Sequence, residues 1–197
     1  DAGQYWVPIT DGQINVGSVG AIAVSASKPD VIYIGTGEPQ LRDCVSWGDG
    51  VYKSTDGGDT WKHIGLKETR NISRVRIHPE NPDLVYVAAV GNPFGPSKER
   101  GVFRSKDGGK TWKQILFKHE QAGVFDLVMC DHDPKILYAS TFEAFRRTCG
   151  LKAGGPNSGI FTSTDGGDSW EELTRNPGLP SDNLGRIGLA HSKDKPN

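Results

Sequence analysis

Short apolar alternations recur along this chain in a fixed order. Ile22 and Val24, Val75 and Ile77, Leu127 and Met129, and Ile187 and Leu189 each place apolar side chains two residues apart, the spacing of a strand with one covered face. A proline follows each run, at Pro29, Pro82, Pro134 and Pro196, and predicts a turn. A denser apolar run comes next, at residues 31–34, 84–87 and 136–139. Tyr33, Tyr86 and Tyr138 stand four residues after the proline each time. A third strand is predicted at residues 50–53, 101–104 and 159–162, and a fourth opens at Trp61, Trp112 and Trp170. No helix-period segment competes with these four signals.

The third and fourth strands are joined by one repeated stretch. Ser54-Thr55-Asp56-Gly57-Gly58-Asp59-Thr60-Trp61 recurs as Ser105-Lys106-Asp107-Gly108-Gly109-Lys110-Thr111-Trp112 and as Ser163-Thr164-Asp165-Gly166-Gly167-Asp168-Ser169-Trp170. Asp1, Gly3 and Trp6 read as the tail of a fourth copy. The four tryptophans lie 55, 51 and 58 positions apart, a period that marks an array of one supersecondary unit. Each residue type suits a tight turn. Gly58, Gly109 and Gly167 permit backbone angles that a Cβ blocks, and the aspartate accepts backbone N–H groups nearby. The serine closes the other side, and the tryptophan anchors the next strand. One carboxylate per repeat falls well short of the 6–8 oxygens calcium takes, so these aspartates are read as structural and no metal is assigned.

The pattern Ser-x-Asp-x-Gly-x-x-Trp resembles the Asp-box, or BNR repeat, of sialidases, xyloglucan-type glycoside hydrolases, sortilin-type receptors and a photosystem assembly factor. The resemblance spans the whole chain and agrees with the periodicity: an all-β fold of four-stranded antiparallel blades, a β-propeller. Three complete blades are expected at residues 18–66, 72–117 and 123–175. Residues 1–10 read as the outer strand of a preceding blade and residues 186–192 as the inner strand of a following one. A closed propeller takes 4–8 blades, so the expected object is an incomplete one. Its open edges call for further blades of a longer chain or for edge-to-edge self-association.

Composition narrows the function classes. A net charge of −1 over 197 residues gives no broad attraction to nucleic acid. No apolar run approaches the ~20 residues of a membrane-spanning helix. Cys44, Cys130 and Cys149 are odd in number and lack metal-ligand spacing. Free thiols are expected, and Cys44 and Cys149 could pair only if their loops meet. No cofactor is implied.

Candidate chemistry gathers in the long connections between second and third strands, residues 36–49, 90–100 and 140–158, because long loops on a rigid scaffold carry binding groups. They emerge on the rim opposite the Asp-box turns. Arg42, Trp47, Arg100, Phe145, Arg146 and Arg147 are the ligand-binding candidates: aromatic faces stack on a sugar ring, and guanidinium forks hold carboxylates. Glycoside hydrolysis needs two carboxyl groups across the scissile bond. Glu38, Asp49, Glu99 and Glu143 are the candidates on that rim. The sialidase form is disfavoured, since its Phe/Tyr-Arg-Ile-Pro segment is absent and Phe145-Arg146-Arg147-Thr148 does not match it. His132, between Asp131 and Asp133, sits in a first-to-second-strand turn and reads as polar turn filler. Two functions are thus carried forward. One is a glycoside-hydrolase-like propeller segment that binds or cleaves carbohydrate at the long-loop rim. The other is a non-catalytic propeller that presents this rim to a peptide or protein. The resemblance also implies an extracellular or periplasmic location. Converging carboxylates in a deep cleft beside Trp47 would favour the first function; a shallow rim with each carboxylate paired to a cation would favour the second.

Overall fold

A computed structural model describes residues 2–192; Asp1 and Pro196 lie outside them. Blade 1 is the sheet β1 (Val19–Val24), β2 (Ile32–Thr36), β3 (Val51–Ser54) and β4 (Lys62–His63). Blade 2 is β5 (Ile72–Ile77), β6 (Val85–Ala89), β7 (Gly101–Ser105) and β8 (Lys113–Leu116). Blade 3 comprises β9 (Ala122–Met129), β10 (Leu137–Arg147), β12 (Gly159–Ser163) and β13 (Glu171–Glu172), with β11 (Gly150–Ala153) paired to the far end of β10. Every pairing is antiparallel, and all but β10–β12, which has β11 between its strands, join neighbours in sequence. The register of the first two strands shifts at an equivalent place in each blade, between Val19 and Ala21, between Ile72 and Arg74, and between Ser140 and Thr141. The only helical element among the described residues is a single 3-10 turn, Lys67–Thr69, and no helix is long and apolar enough to cross a membrane.

The core lies in the seams between blades. Val31, Tyr33, Val51, Ile72, Val75, Val85 and Val87 close the first seam; Tyr86, Val102, Val124, Leu127, Leu137 and Phe161 close the second. Buried polar groups bolt both. The Tyr33 hydroxyl donates to Pro82 O at 2.9 Å and the Tyr86 hydroxyl to Gly166 O at 3.0 Å. Lys53 Nζ reaches Asp83 at 2.9 Å, and Arg104 reaches Asp168 and Gly166 O at 2.6 Å. Ser73 Oγ donates to Val124 O, and Arg74 Nε to Asp126 Oδ1 at 2.9 Å, across the inner strands of blades 2 and 3.

The Asp-box turns reproduce one bond set. Ser54 Oγ, Ser105 Oγ and Ser163 Oγ donate to Asp56, Asp107 and Asp165 at 2.7–2.8 Å and accept the N–H of Gly58, Gly109 and Gly167. The hydroxyls of Thr60, Thr111 and Ser169 close on the second carboxylate oxygen at 2.5–2.6 Å. These bonds hold the Asp56 and Asp107 carboxyls down to about 2 and lower Asp165 as well. Glycine is required at 58, 109 and 167 for two reasons. The φ angles are +102°, +92° and +88°, and a Cβ would collide with Ile9, Ile64 and Ile115 of the preceding segment. Trp61 Nε1 and Trp112 Nε1 donate to Ile9 O and Ile64 O, each at 2.8 Å. Trp170 Nε1, beside the register shift in β8, is buried without a partner among the described residues.

The end segments, expected as single blade strands, form no strands among the described residues. Ile9 occupies the position that Ile64 holds in blade 1, while Trp6 stays exposed and bonds only to Gly3 O. Residues 187–191 are tied to blade 3 by Ser140 Oγ to Ile187 O, by Leu189 N to Asp126 Oδ2, and by Cys130 Sγ beside His191 Nε2 at 3.2 Å. Ile22, the register equivalent of Val75, is 59% exposed where Val75 is 1% exposed. The leading face of blade 1 is thus an apolar stripe of Val19, Ile22 and Val24.

Candidate binding rim

The long connections share one rim and interlock there. The blade 1 loop reaches across blade 2: Leu41 packs on Val90, Phe125, Phe142 and Ala144, a small core beneath the rim. Asp43 forms an ion pair with Arg146 of blade 3. Gln40 accepts from Arg186 at 2.8 Å, and that guanidinium lies 5.5 Å from the Phe125 ring. The third connection is not the irregular loop expected. β10 runs on to Arg147 and turns back through β11, making a hairpin that projects from blade 3. Polar and apolar residues alternate only from Thr141 to Ala144 and the pattern breaks at Phe145, too short a signal to mark the hairpin.

Trp47 is 50% exposed, with the Arg70 guanidinium stacked 4.1 Å from its ring centroid. Arg70 arrives from the link between blades. Leu66 and Arg70, both non-glycine residues, adopt positive φ of 58° and 56° on either side of the 3-10 turn, a costly conformation that tight surroundings must hold. The backbones meet here. Gly48 N donates to Arg70 O at 2.7 Å, and a Cβ on Gly37, at φ +93°, would strike that same oxygen. The structure thereby adds Arg70 to the rim, a residue that no local sequence signal marks.

The four candidate carboxylates do not stand free. Glu38 pairs with Arg42 and accepts Ser46 N–H at 3.3 Å. Asp49 accepts the Tyr52 hydroxyl at 2.8 Å, and its backbone N–H donates to Thr36 Oγ1 at 2.9 Å; burial, reinforced by this carboxylate, pushes the Tyr52 phenol up. Glu99 is exposed and accepts Ser97 Oγ at 3.2 Å. Glu143 is 2% exposed, pairs with Lys152, and accepts Asn157 N at 3.0 Å and Asn157 Nδ2 at 2.9 Å. Burial raises the Glu143 carboxyl, but those donors outweigh it and hold it below its usual range.

Two ligand-binding candidates are already engaged, Arg100 by burial and Arg146 by an ion pair. Arg100 is 0% exposed: its loop folds over it, and Nη2 bonds the carbonyls of Asn92 and Gly95. Desolvation lowers its pKa to about 10. Arg146 is committed to Asp43, and its N–H donates to Pro93 O at 2.8 Å. Arg42 is exposed but paired with Glu38, and Arg147 lies 5.6 Å over the Phe145 ring. The rim therefore offers an exposed indole stacked on Arg70, with the Glu38–Arg42 and Asp43–Arg146 pairs elsewhere on it. His132 packs edge-on to His191, 6.2 Å between centroids. Among the described residues no group of His, Cys, Asp or Glu has the arrangement of a metal site.

The Sortilin-Vps10 family model, described as sortilin, neurotensin receptor 3, matches residues 49–178. The chain belongs to this family. The match takes in part of blade 1 and all of blades 2 and 3. This Sortilin-Vps10 chain is also 27% identical over 218 residues to a xyloglucanase from Paenibacillus, across 95% of its own length and 19% of the relative. A probable oligoxyloglucan-reducing end-specific xyloglucanase from Neosartorya fischeri is 29% identical over 137 residues, covering 66% of the chain and 16% of the relative. The chain thus spans a fifth or less of the length of these relatives. Among solved structures, the GH74 xyloglucanase of Xanthomonas campestris superposes with a TM-score of 0.61 at 20% identity, over 89% of this chain and 26% of that one. YCF48 from Cyanidioschyzon merolae gives 0.51 at 20% identity, over 83% and 39%. Both structural likenesses establish the propeller fold.

Proposed function

We propose that the long-loop rim is a carbohydrate-binding surface and that this segment binds glycan rather than cleaving it. Trp47 carries the reading. Arg70 fixes the indole from one side and half of the residue remains open, which suits stacking on a pyranose ring while Glu38, which accepts the N–H of adjacent Ser46, offers a polar edge to hydroxyl groups. Similarity to xyloglucanases supports a β-glucan ligand. The engagement of Glu38, Asp49 and Glu143 in local bonds argues against their acting as acid and nucleophile. We further propose an extracellular or periplasmic location, on the resemblance alone.

Titration with xyloglucan oligosaccharides, followed by tryptophan fluorescence and calorimetry, tests the proposal. Saturable binding by the parent that weakens more than tenfold in W47A is the expected result. No binding at millimolar sugar refutes it. A second reading, docking of a peptide or protein on the same rim, is favoured by the paired charges of Glu38–Arg42 and Asp43–Arg146 and by the family. Peptide binding that survives a tenfold excess of oligosaccharide would select it.

A further inference from the structure

The three cysteines are free and occupy different settings. Cys130 is buried with its sulfur against His191. Cys44 and Cys149 are both exposed. Cys44 directly follows Asp43 in the blade 1 loop. Cys149 is the second residue of the two-residue turn joining β10 to β11, where Arg147 pairs with Gly150. These stretches are distant in sequence, yet the residue before Cys44 pairs with Arg146, three residues before Cys149. Gln40 to Arg186 and Leu41 on Ala144 pin the same loop on its inner side.

We propose that Cys44 and Cys149 form a disulfide that locks the blade 1 loop to the blade 3 hairpin. A disulfide needs Cα atoms about 5–6 Å apart, closer than two residues joined through an aspartate and a long arginine side chain. Residues 42–44 and 147–149 are exposed, so this approach displaces solvent and leaves the core untouched. The oxidant is a disulfide such as oxidised glutathione. One protein thiol loses its proton, and the thiolate attacks a glutathione sulfur and expels a glutathione thiolate. The second protein thiolate then attacks the protein-bound sulfur of the mixed disulfide and expels the other. Two protein thiols are oxidised, and one glutathione disulfide is reduced to two thiols. Cys130 stays out because it is buried. The bridge fixes the loop that carries Trp47, three residues on, but the inference rests on the loop contact and not on the ligand assigned to the rim.

The test is oxidation of the folded chain with oxidised glutathione, then alkylation and trypsin digestion. The expected product is residues 43–53 joined to residues 148–152, in a monomer. The linked peptide disappears on reduction and in C44S and C149S, and persists in C130S. Thiols titrated in denaturant fall from three to one. D43A, which removes the ion pair, slows closure several-fold. Separate glutathione adducts on Cys44 and Cys149, or a bridge between two chains, would overturn the proposal. An unchanged closure rate in D43A would overturn the part assigned to the loop contact.

Discussion

Replacing Glu143 by alanine separates a structural carboxylate from a catalytic one. The side chain receives Asn157 N and Asn157 Nδ2 and pairs with Lys152. Lys152 is half exposed and returns to water, so its pairing contributes only ~0–1 kcal/mol. The Asn157 donors lose a charged acceptor at a covered site, worth ~1.5 kcal/mol each at the low end. The sum is about 3 kcal/mol. For a chain of this size, ~2–4 °C accompanies each kcal/mol, which puts the fall in Tm at roughly 6–12 °C. Differential scanning fluorimetry measures it, and E143Q, which keeps one acceptor, should fall about half as far. The Glu143 pKa is lowered on folding. Its contribution is therefore full above the unfolded carboxyl range and disappears as pH falls through the folded value, an acid slope that E143Q lacks. A Tm within a degree of the parent in E143A would refute the reasoning and return this residue to the list of free carboxylates.

Asp56 and Asp107 sit at about 2 against roughly 4 in an unfolded chain. Stability should therefore decline as pH drops from about 4 toward 2, and urea midpoints for D107N should show a shallower decline than the parent. V75A should cost about 2 kcal/mol by denaturant melts and I22A well under 1 kcal/mol, since exposed Ile22 has little burial to lose; equal costs would deny that the two faces differ. G109A should destabilise more than either, because the backbone there is left-handed and Ile64 fills the space; a neutral melt would count against the Gly–Ile fit.

The fold was legible because its signals repeat. Each blade restates the proline turn, the tyrosine strand and the Asp-box, so an error in one copy is corrected by the next. The rim was less legible because its contacts belong to no repeat. Arg100 follows Glu99 in a polar stretch that reads as exposed, and only the folding of its loop buries it. Arg70 reaches Trp47 through two left-handed backbones at non-glycine residues, which propensity does not announce. Glu143 looked like a spare acid until β11 brought Lys152 and the following turn brought Asn157. Trp47 was recognisable because it alone among the tryptophans stands outside an Asp-box or its remnant.

The tyrosine and arginine bolts between blades also set how the molecule comes apart. Blade 2 is bolted on both sides, through Tyr33 and Lys53 toward one neighbour and through Tyr86 and Arg104 toward the other. When each unit leans chiefly on its nearest neighbours, opening starts at the ends and moves inward. Amide protons in β6 should then exchange only when the whole array unfolds, whereas those in β1 and β13 exchange through local fraying. Protection against solvent becomes a gradient along the chain, highest where seams lie on both sides.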